Sequence, residues 1–198
     1  LRQMDFSPVK AEGWYTLEVD GKKSRPFRIG RDAYIPAAWK TLNFFFSERC
    51  GFDVPGIHTE CHMDVMSVHP DGRRLPVWGG WHDAGDLTQA AINTAESVFA
   101  MLELAIAERE AQPELSQRAK EDRWGLNWLM RTRWGDGYRH NGTVIGFWSD
   151  NIQGTLDDIN ADSGNRPFDN FMIAGVCAKA IALFRDEDPR FADWCARC

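Results

Sequence analysis

The 198-residue sequence has no apolar run that approaches the roughly 18 residues a helix needs to cross a bilayer, so the reading includes no membrane span. Positive charge is also scarce. Lys and Arg number 23 against 29 Asp and Glu, a formal net charge of −6, which repels a phosphate backbone and excludes nucleic acid as the main partner. The sequence does not open on Met and carries no signal segment at its start. Cysteine is sparse and odd in number, five in all, so at least one thiol cannot pair within the chain. Tyrosine, at three, is rare as well, yet tryptophan is generous at nine. Indoles go into cores but also make flat platforms for sugar rings, so the count leans toward carbohydrate. With 43% hydrophobic and 26% charged residues, the composition is globular and not disordered.

Two styles of sequence meet near residue 33. Before it, "WYTLEVDGKKSRPFRI" alternates Tyr15, Leu17 and Val19 inward, turns at Asp20-Gly21 and resumes with Phe27 and Ile29, which is a hairpin pattern. A lone hairpin is marginal in water, so it implies further strands of a β domain. After residue 33 the pattern is helical. Tyr34, Ala38, Leu42, Phe45 and Phe46 form the stripe of a first helix. A long second helix is expected to open at Asp86, with Gln89 three residues on as a capping box. "PELSQRAKEDRWGLNWLMRTRW" reads as a third, "PFDNFMIAGVCAKAIALF" as a fourth, and Asp188-Pro189 starts a fifth. Both ends read as cut. The expected organisation is therefore residues 1–32 as the last strands of a β domain and 33–198 as the first part of a larger helical one.

The stretch "GGWHDAGD", Gly79 to Asp86, concentrates two carboxylates, an imidazole, an indole and three glycines in eight residues. Taken by itself, Asp86 can be a helix cap and Asp83 a solvated turn residue. Around this stretch lie Cys50, Cys61, His62 and His82, two thiols and two imidazoles that suit tetrahedral zinc. The spacing, Cys-x10-Cys-His-x19-His, is not that of a zinc finger, and a Cys50–Cys61 disulfide is the alternative.

"GGWHDAGD" followed by a long helix resembles glycoside hydrolase family 9, whose members cleave β-1,4-glucans. "RPFRIGRDAYIPAAWKTLNFFFSERCG", "TECHMDV" and "LMRTRWGDGY" extend the likeness to the branch with an N-terminal immunoglobulin-like domain. The resemblance implies a mainly α fold: the first part of an (α/α)6 barrel, preceded by a β-hairpin remnant of the immunoglobulin-like domain. It implies inverting hydrolysis, with Asp86 as base, Asp83 as its partner on the same water and a Glu acid beyond Cys198. It also implies zinc over the disulfide at Cys50, Cys61, His62 and His82, in a structural role. Calcium is possible in the complete enzyme at an unassigned site, and the location implied is secreted, periplasmic or cell-surface.

The chemistry is consistent with that reading. An inverting enzyme needs a carboxylate that activates water and an acid roughly 6.5–9.5 Å away across the sugar. A helix starting at Asp86 would place both carboxylates on one face and favour the ionised base through its dipole. Gly79, Gly80 and Gly85 would keep the wall thin where a glucan approaches. Glu103 and Glu108 lie too far along the expected helix to serve as the acid, so the chain alone is expected to hydrolyse nothing. Its expected partners are a β-glucan and the rest of its own barrel.

Trp81, Trp134, Tyr138, Phe147 and Trp148 are candidate sugar platforms, Trp81 and Trp148 foremost because both lie in expected loops. Trp124 and Trp128, four apart on a helix, are read as core, Cys177 as a plain buried thiol, and His58 and His69 as surface residues. Asp158, Asn160 and Asp162 alternate as in a calcium loop, but the glycine comes a residue late, and turn chemistry accounts for them. An exo-acting β-glucosidase or β-glucosaminidase is the second reading, and a non-catalytic, zinc-stabilised carbohydrate-binding relic the third.

Overall fold

The computed structural model describes residues 4–83 and 87–198, and it divides into two units, residues 1–41 and 42–198. The expected capping Asp86 and Gly85 lie outside the described residues.

In the first unit, β1 (Gly13–Tyr15) pairs antiparallel with β4 (Phe27–Ile29), and between them β2 (Glu18–Val19) pairs with β3 (Lys22–Lys23). The connecting residues Asp20 and Gly21 have φ of 52° and 74°, the left-handed pair that a two-residue hairpin turn requires. The alternation holds for Tyr15 and Leu17, which are half-buried. Val19 departs from it: its two-residue strand is exposed on both residues. Phe6 and Tyr15 flank Phe27, with ring centroids 5.5 and 6.3 Å away. The helix α1 (Ile35–Ser47) follows, and the division between the units falls within it. Tyr34 stands outside this helix and is exposed, so it is not part of the buried stripe.

The second unit is not purely helical. A sheet of order β6-β5-β10-β8 sits among its helices, built from β5 (Val65–Val68), β6 (Arg74–Pro76), β8 (Arg139–His140) and β10 (Ile159–Gly164). β5 and β10 run parallel with Val65 opposite Ile159, while β6 and β8 are antiparallel to their neighbours. Asn160 and Asp162 therefore belong to a strand and not to the turn that the sequence reading gave them, and Arg74 reaches both Asn160 and Asp158. A further pair, β7 (Gln89–Ala90) and β9 (Gly142–Thr143), leads directly into the long helix.

That helix, α2 (Ala91–Ala107), begins later than the sequence pattern places it. Its N-cap is Ala90, in extended conformation and without a side-chain cap, so the Asp86–Gln89 capping box does not start it. Gln89 is buried instead, and its Nε2 donates to Gly79 O at 2.8 Å. Thr94, Ala95, Val98, Met101, Leu102 and Ala105 repeat at helical spacing and bury one face of α2. The expected third helix is two: α3 (Pro113–Ala119) and α4 (Asp122–Arg131). At the break, the buried Glu121 carboxylate accepts from Arg49 Nε at 2.6 Å and Nη2 at 2.7 Å, a bidentate pair that ties α4 to the segment after α1.

α5 (Pro167–Phe184) and α6 (Pro189–Cys195) match expectation, and Asp188 caps α6 by accepting from Phe191 N at 3.1 Å. α5 is, by length and composition, apolar enough to cross a bilayer, which the sequence reading did not allow for. Its packing accounts for that character: Ile173, Val176, Cys177, Ala180, Leu183 and Phe184 are buried, and the helix lies between α2 and α6. Cys177 is the expected buried thiol, with Sγ 3.7 Å from Met130 Sδ.

Candidate metal centre and the loop it supports

Three separate segments of the second unit meet beneath Asp83. Residues 48–50 run antiparallel to 80–82: Cys50 N donates to Gly80 O at 3.0 Å and His82 N to Glu48 O at 2.9 Å. The third segment, Cys61-His62, is turned in by His62, whose φ of 56° is left-handed. A non-glycine residue in that region marks a place where the surroundings override the backbone's preference.

The result brings all four expected ligands together. Cys50, Cys61, His62 and His82 are buried, and their ligand atoms lie within 4.8 Å of one another. His82 Nε2 stands 3.4 Å from His62 Nδ1 and 3.6 Å from Cys61 Sγ, while Cys50 Sγ is 3.8 Å from His62 Nδ1. These lengths can be compared with a tetrahedron. Zinc bonds of about 2.0–2.1 Å to nitrogen and about 2.3 Å to sulfur give edges of about 3.3–3.4 Å for N···N and about 3.5–3.6 Å for N···S. The residues present fit such an ion. All five cysteines are free thiols, so Cys50 and Cys61 are not a disulfide.

The remaining ring nitrogens are held in the sense a metal site needs. His62 Nε2 donates to Phe147 O at 3.1 Å, which leaves the Nδ1 lone pair for the cluster. His82 Nδ1 points toward Glu48 Oε2 at 3.9 Å. Burial pushes the Cys50 thiol well above its ordinary range. Cys61 is driven far down, first by its hydrogen bond from Cys50 and then, against burial, by His62, His82 and the Gly51 N–H. Burial acts to lower His62, but the Cys61 thiolate, the Phe147 carbonyl and the Asp64 carboxylate together outweigh it and the imidazole is raised. A thiolate among hydrogen-bond donors is the ligand form a metal takes up.

The residue that follows His82 in the chain is Asp83. Asp83 is exposed, its N–H donates to Thr88 O at 2.7 Å, and its Oδ2 accepts from Asn93 Nδ2 at 3.3 Å. It borders a hollow of about 110 Å³ whose lining includes Phe45, Trp81, Asn93 and Ser97. Asp86, the expected base, lies outside the described residues.

Two glycines of the stretch, Gly79 and Gly80, have a packing role that the sequence reading did not include. Gly79 and Gly80 have φ of 111° and 69°, and a Cβ on either would meet the Trp128 ring, at 3.2 and 2.9 Å. Trp128, fully buried, donates from Nε1 to Val77 O at 2.7 Å, and Trp124 donates to Gly80 O at 2.6 Å. Two indoles and Gln89 therefore support the loop from below, and the glycines let it lie on them.

The aromatic candidates separate. Trp81 is only 4% exposed, edge-on to Phe45 at 5.1 Å, so most of its ring is covered by packing. Trp148 is exposed on one side and stacked on His62 at 5.2 Å and 22°. Trp134 and Tyr138 lie together elsewhere, both against His69, at 5.1 and 4.7 Å. Neither expected surface histidine is one: His69 is buried between Asp71 and Asp136, and His58 is half-buried with Nε2 2.9 Å from Ser47 O. Glu48, Asn93 and the Arg49–Glu121 pair escaped the sequence reading, and Gln89 entered it only as part of a capping box. Glu48, two residues before Cys50, was the most findable, since ligand histidines commonly turn their second nitrogen to a carboxylate.

The family model described as glycosyl hydrolase family 9 matches residues 34–197. Endoglucanase C of Cellulomonas fimi is 27% identical over 236 residues, covering 96% of this chain and 21% of its own length. A cellodextrinase of Butyrivibrio fibrisolvens is 35% identical over 105 residues, covering 50% of this chain and 19% of its own. Among solved structures, a metagenome-derived family 9 endoglucanase superposes with a TM-score of 0.70 at 27% identity, over 98% of this chain and 39% of that one. A Zn-binding triple mutant of the family 9 endoglucanase J30 does so at 0.64 and 27%, over 98% and 42%. The chain thus spans about a fifth of these curated relatives and about two fifths of the solved structures.

Proposed function

Since the chain belongs to glycosyl hydrolase family 9, we propose that the protein is a glycoside hydrolase that cleaves β-1,4-glucan with inversion, and that its Cys50, Cys61, His62 and His82 hold a structural zinc ion. The observation that carries the reading is continuity. His82 is a member of the four-ligand cage, and the next residue along the chain is the exposed Asp83, beside a hollow and anchored by Asn93. Zinc held by four protein ligands has no open position, so its contribution is to fix the surrounding chain. The protein's own side chains would carry the reaction. Asp86 takes the proton from the attacking water, Asp83 holds the same water, and a Glu supplied by the rest of the barrel protonates the leaving oxygen. Residues 1–32 are read as the end of an immunoglobulin-like domain, and the exposed Phe168 and Phe171 of α5 as the surface that later barrel helices cover.

The test is substitution in the complete protein. Asp86→Asn should lower kcat on soluble β-glucan by several orders of magnitude while leaving the melting temperature close to the parent's, and Asp83→Asn should cost less. Parent-like turnover by Asp86→Asn would remove the catalytic assignment. A second reading is an exo-acting β-glucosidase or β-glucosaminidase that trims chain ends, and the likeness to a cellodextrinase is compatible with a short-oligomer substrate. Viscosity decides between the two: an endo enzyme thins a glucan solution well before reducing ends accumulate, and an end-trimming one does not.

A further inference from the structure

The five thiols fall into two groups. Cys50 and Cys61 belong to the metal cage, while Cys177, Cys195 and Cys198 gather where α5 packs against α6. Cys177 and Cys195 are buried, and Cys198 is exposed. Cys198 lines a hollow of about 330 Å³ with Arg133, Tyr138, Arg139, Asn170 and Phe171. Two bordering residues of α5, Asn170 and Ala174, stand four apart, and Cys177 continues their face of the helix one turn further along. The Cys177 and Cys198 thiols meet in a hydrogen bond, and Cys177 Sγ also lies 3.7 Å from Met130 Sδ. Two guanidiniums border the same hollow. Arg139, only 5% exposed, donates from Nε to Asn170 Oδ1 at 2.6 Å and from Nη1 to Leu129 O at 3.3 Å, and it hydrogen-bonds the Cys198 sulfur. Arg133 is bridged to it antiparallel through the backbone. The surroundings divide the three thiols by reactivity. The pKa of Cys198 is lowered to about 6, first by its bond from Cys177 and then, against burial, by Arg139 and Arg133. Cys177 is pushed up, first by that same bond and then by burial, and burial pushes Cys195 up to about 11. An attacking thiol works best in disulfide exchange when its pKa lies near ambient pH.

We propose that Cys198 and Cys177 form a redox-active dithiol that exchanges with small disulfides carrying carboxylates, with Arg133 and Arg139 drawing the anionic reagent into the hollow. The Cys198 thiolate attacks one sulfur of the incoming disulfide, the S–S bond breaks, and the first half departs as a thiolate. Cys198 is then neutral, so the charge that kept the proton on Cys177 is gone. Cys177 attacks the Cys198 sulfur, and its proton passes to the second departing half. The net change oxidises two protein thiols to a Cys177–Cys198 disulfide and reduces the small disulfide to two thiols. The new bond fastens α5 to the residue one turn beyond Cys195, whose carbonyl accepts from Cys198 N at 3.1 Å. The proposal rests on the thiols and arginines of this hollow and stands whether or not the glycosidase reading does.

Glutathione disulfide, rich in carboxylates, is the probe, applied to the complete, metal-replete protein with peptide mass spectrometry as the readout. The parent should acquire a Cys177–Cys198 disulfide. Cys177→Ala should stop at a glutathione mixed disulfide on Cys198, and Cys198→Ser, at an exposed position, should leave Cys177 and Cys195 reduced. Arg133→Gln should slow the reaction with glutathione disulfide about threefold or more, and the reaction with neutral 2-hydroxyethyl disulfide less. Iodoacetamide should alkylate Cys198 of the untreated parent about tenfold or more faster than Cys195. Alkylation of Cys198 no faster than of Cys195, a parent that stops at the mixed disulfide, or equal slowing of both disulfides by Arg133→Gln would each overturn the assignment.

Discussion

Replacing Gly80 with alanine separates the two purposes a glycine could have beside an active site. The added Cβ would stand 2.9 Å from Trp128 Cδ2 and 3.2 Å from Cε3 and Cγ, at a backbone φ of +69°. The indole has little room to give: it is fully buried, bonded through Nε1 to Val77 O and met edge-on by His140 at 5.8 Å. The left-handed backbone costs a Cβ about 1–2 kcal/mol, and overpacking a closed site adds about 1–3 kcal/mol. Gly80→Ala should therefore lose about 2–5 kcal/mol in all. Gly135 supplies the control within the same unit. Its φ is +90° and nothing lies within 4 Å of its would-be Cβ, so Gly135→Ala carries the backbone cost alone. At about 2–4 °C per kcal/mol for a chain of this size, the two variants should melt about 2–12 °C apart. Urea unfolding followed by Trp fluorescence measures the same difference as a shift in midpoint at constant slope. Equal losses in the two variants would refute the packing argument. A rise in KM with stability intact would return Gly80 to the role of clearing a path for the glucan.

Two further outcomes follow from the cage and the core. Metal analysis should find a zinc ion on Cys50, Cys61, His62 and His82, and Cys61→Ser should lose it along with melting temperature and activity; Cys50 and Cys61 found oxidised to each other without metal would exclude the site. Burial holds His140 near a pKa of about 4, so as pH falls from about 6.5 the unfolded chain takes up a proton that the folded one refuses. Stability should then fall toward pH 4 by up to about 1.4 kcal/mol per pH unit, and His140→Gln should remove that part of the slope; an unaltered slope would show that another group carries it.

Local chemistry was what could be read from the order of residues. The Asp20-Gly21 hairpin, the apolar spacing of α2, the proline starts of α5 and α6 and the Asp188 cap all depend on neighbours a few positions apart. At the octet from Gly79 to Asp86, the residues alone left cap against catalyst open, and zinc against a disulfide at Cys50 and Cys61; the resemblance to a family decided between them, and the structure brings Cys50, Cys61, His62 and His82 together. Misreadings arose where a local rule competed with a distant partner. Gln89 fits a capping box after Asp86, yet burial against Gly79 drew it into a strand. One helical period runs through Lys120 and Glu121, yet the chain breaks there, where Glu121 meets Arg49, 72 residues away.

By itself, then, the sequence determined most of the succession of helices and turns and which side chains could serve as metal ligands, because propensity, capping and donor type are properties of residues and their near neighbours. The tertiary structure alone decided that the two thiols and two imidazoles close to tetrahedral distances, that Gly79 and Gly80 rest on Trp128, and that β5 and β10 lie side by side with Ser67 and Ser163, 96 residues apart, bonded across them at 2.7 Å. Such pairings leave no local pattern, since their energy comes from burial and hydrogen bonding gained only once the whole unit has closed.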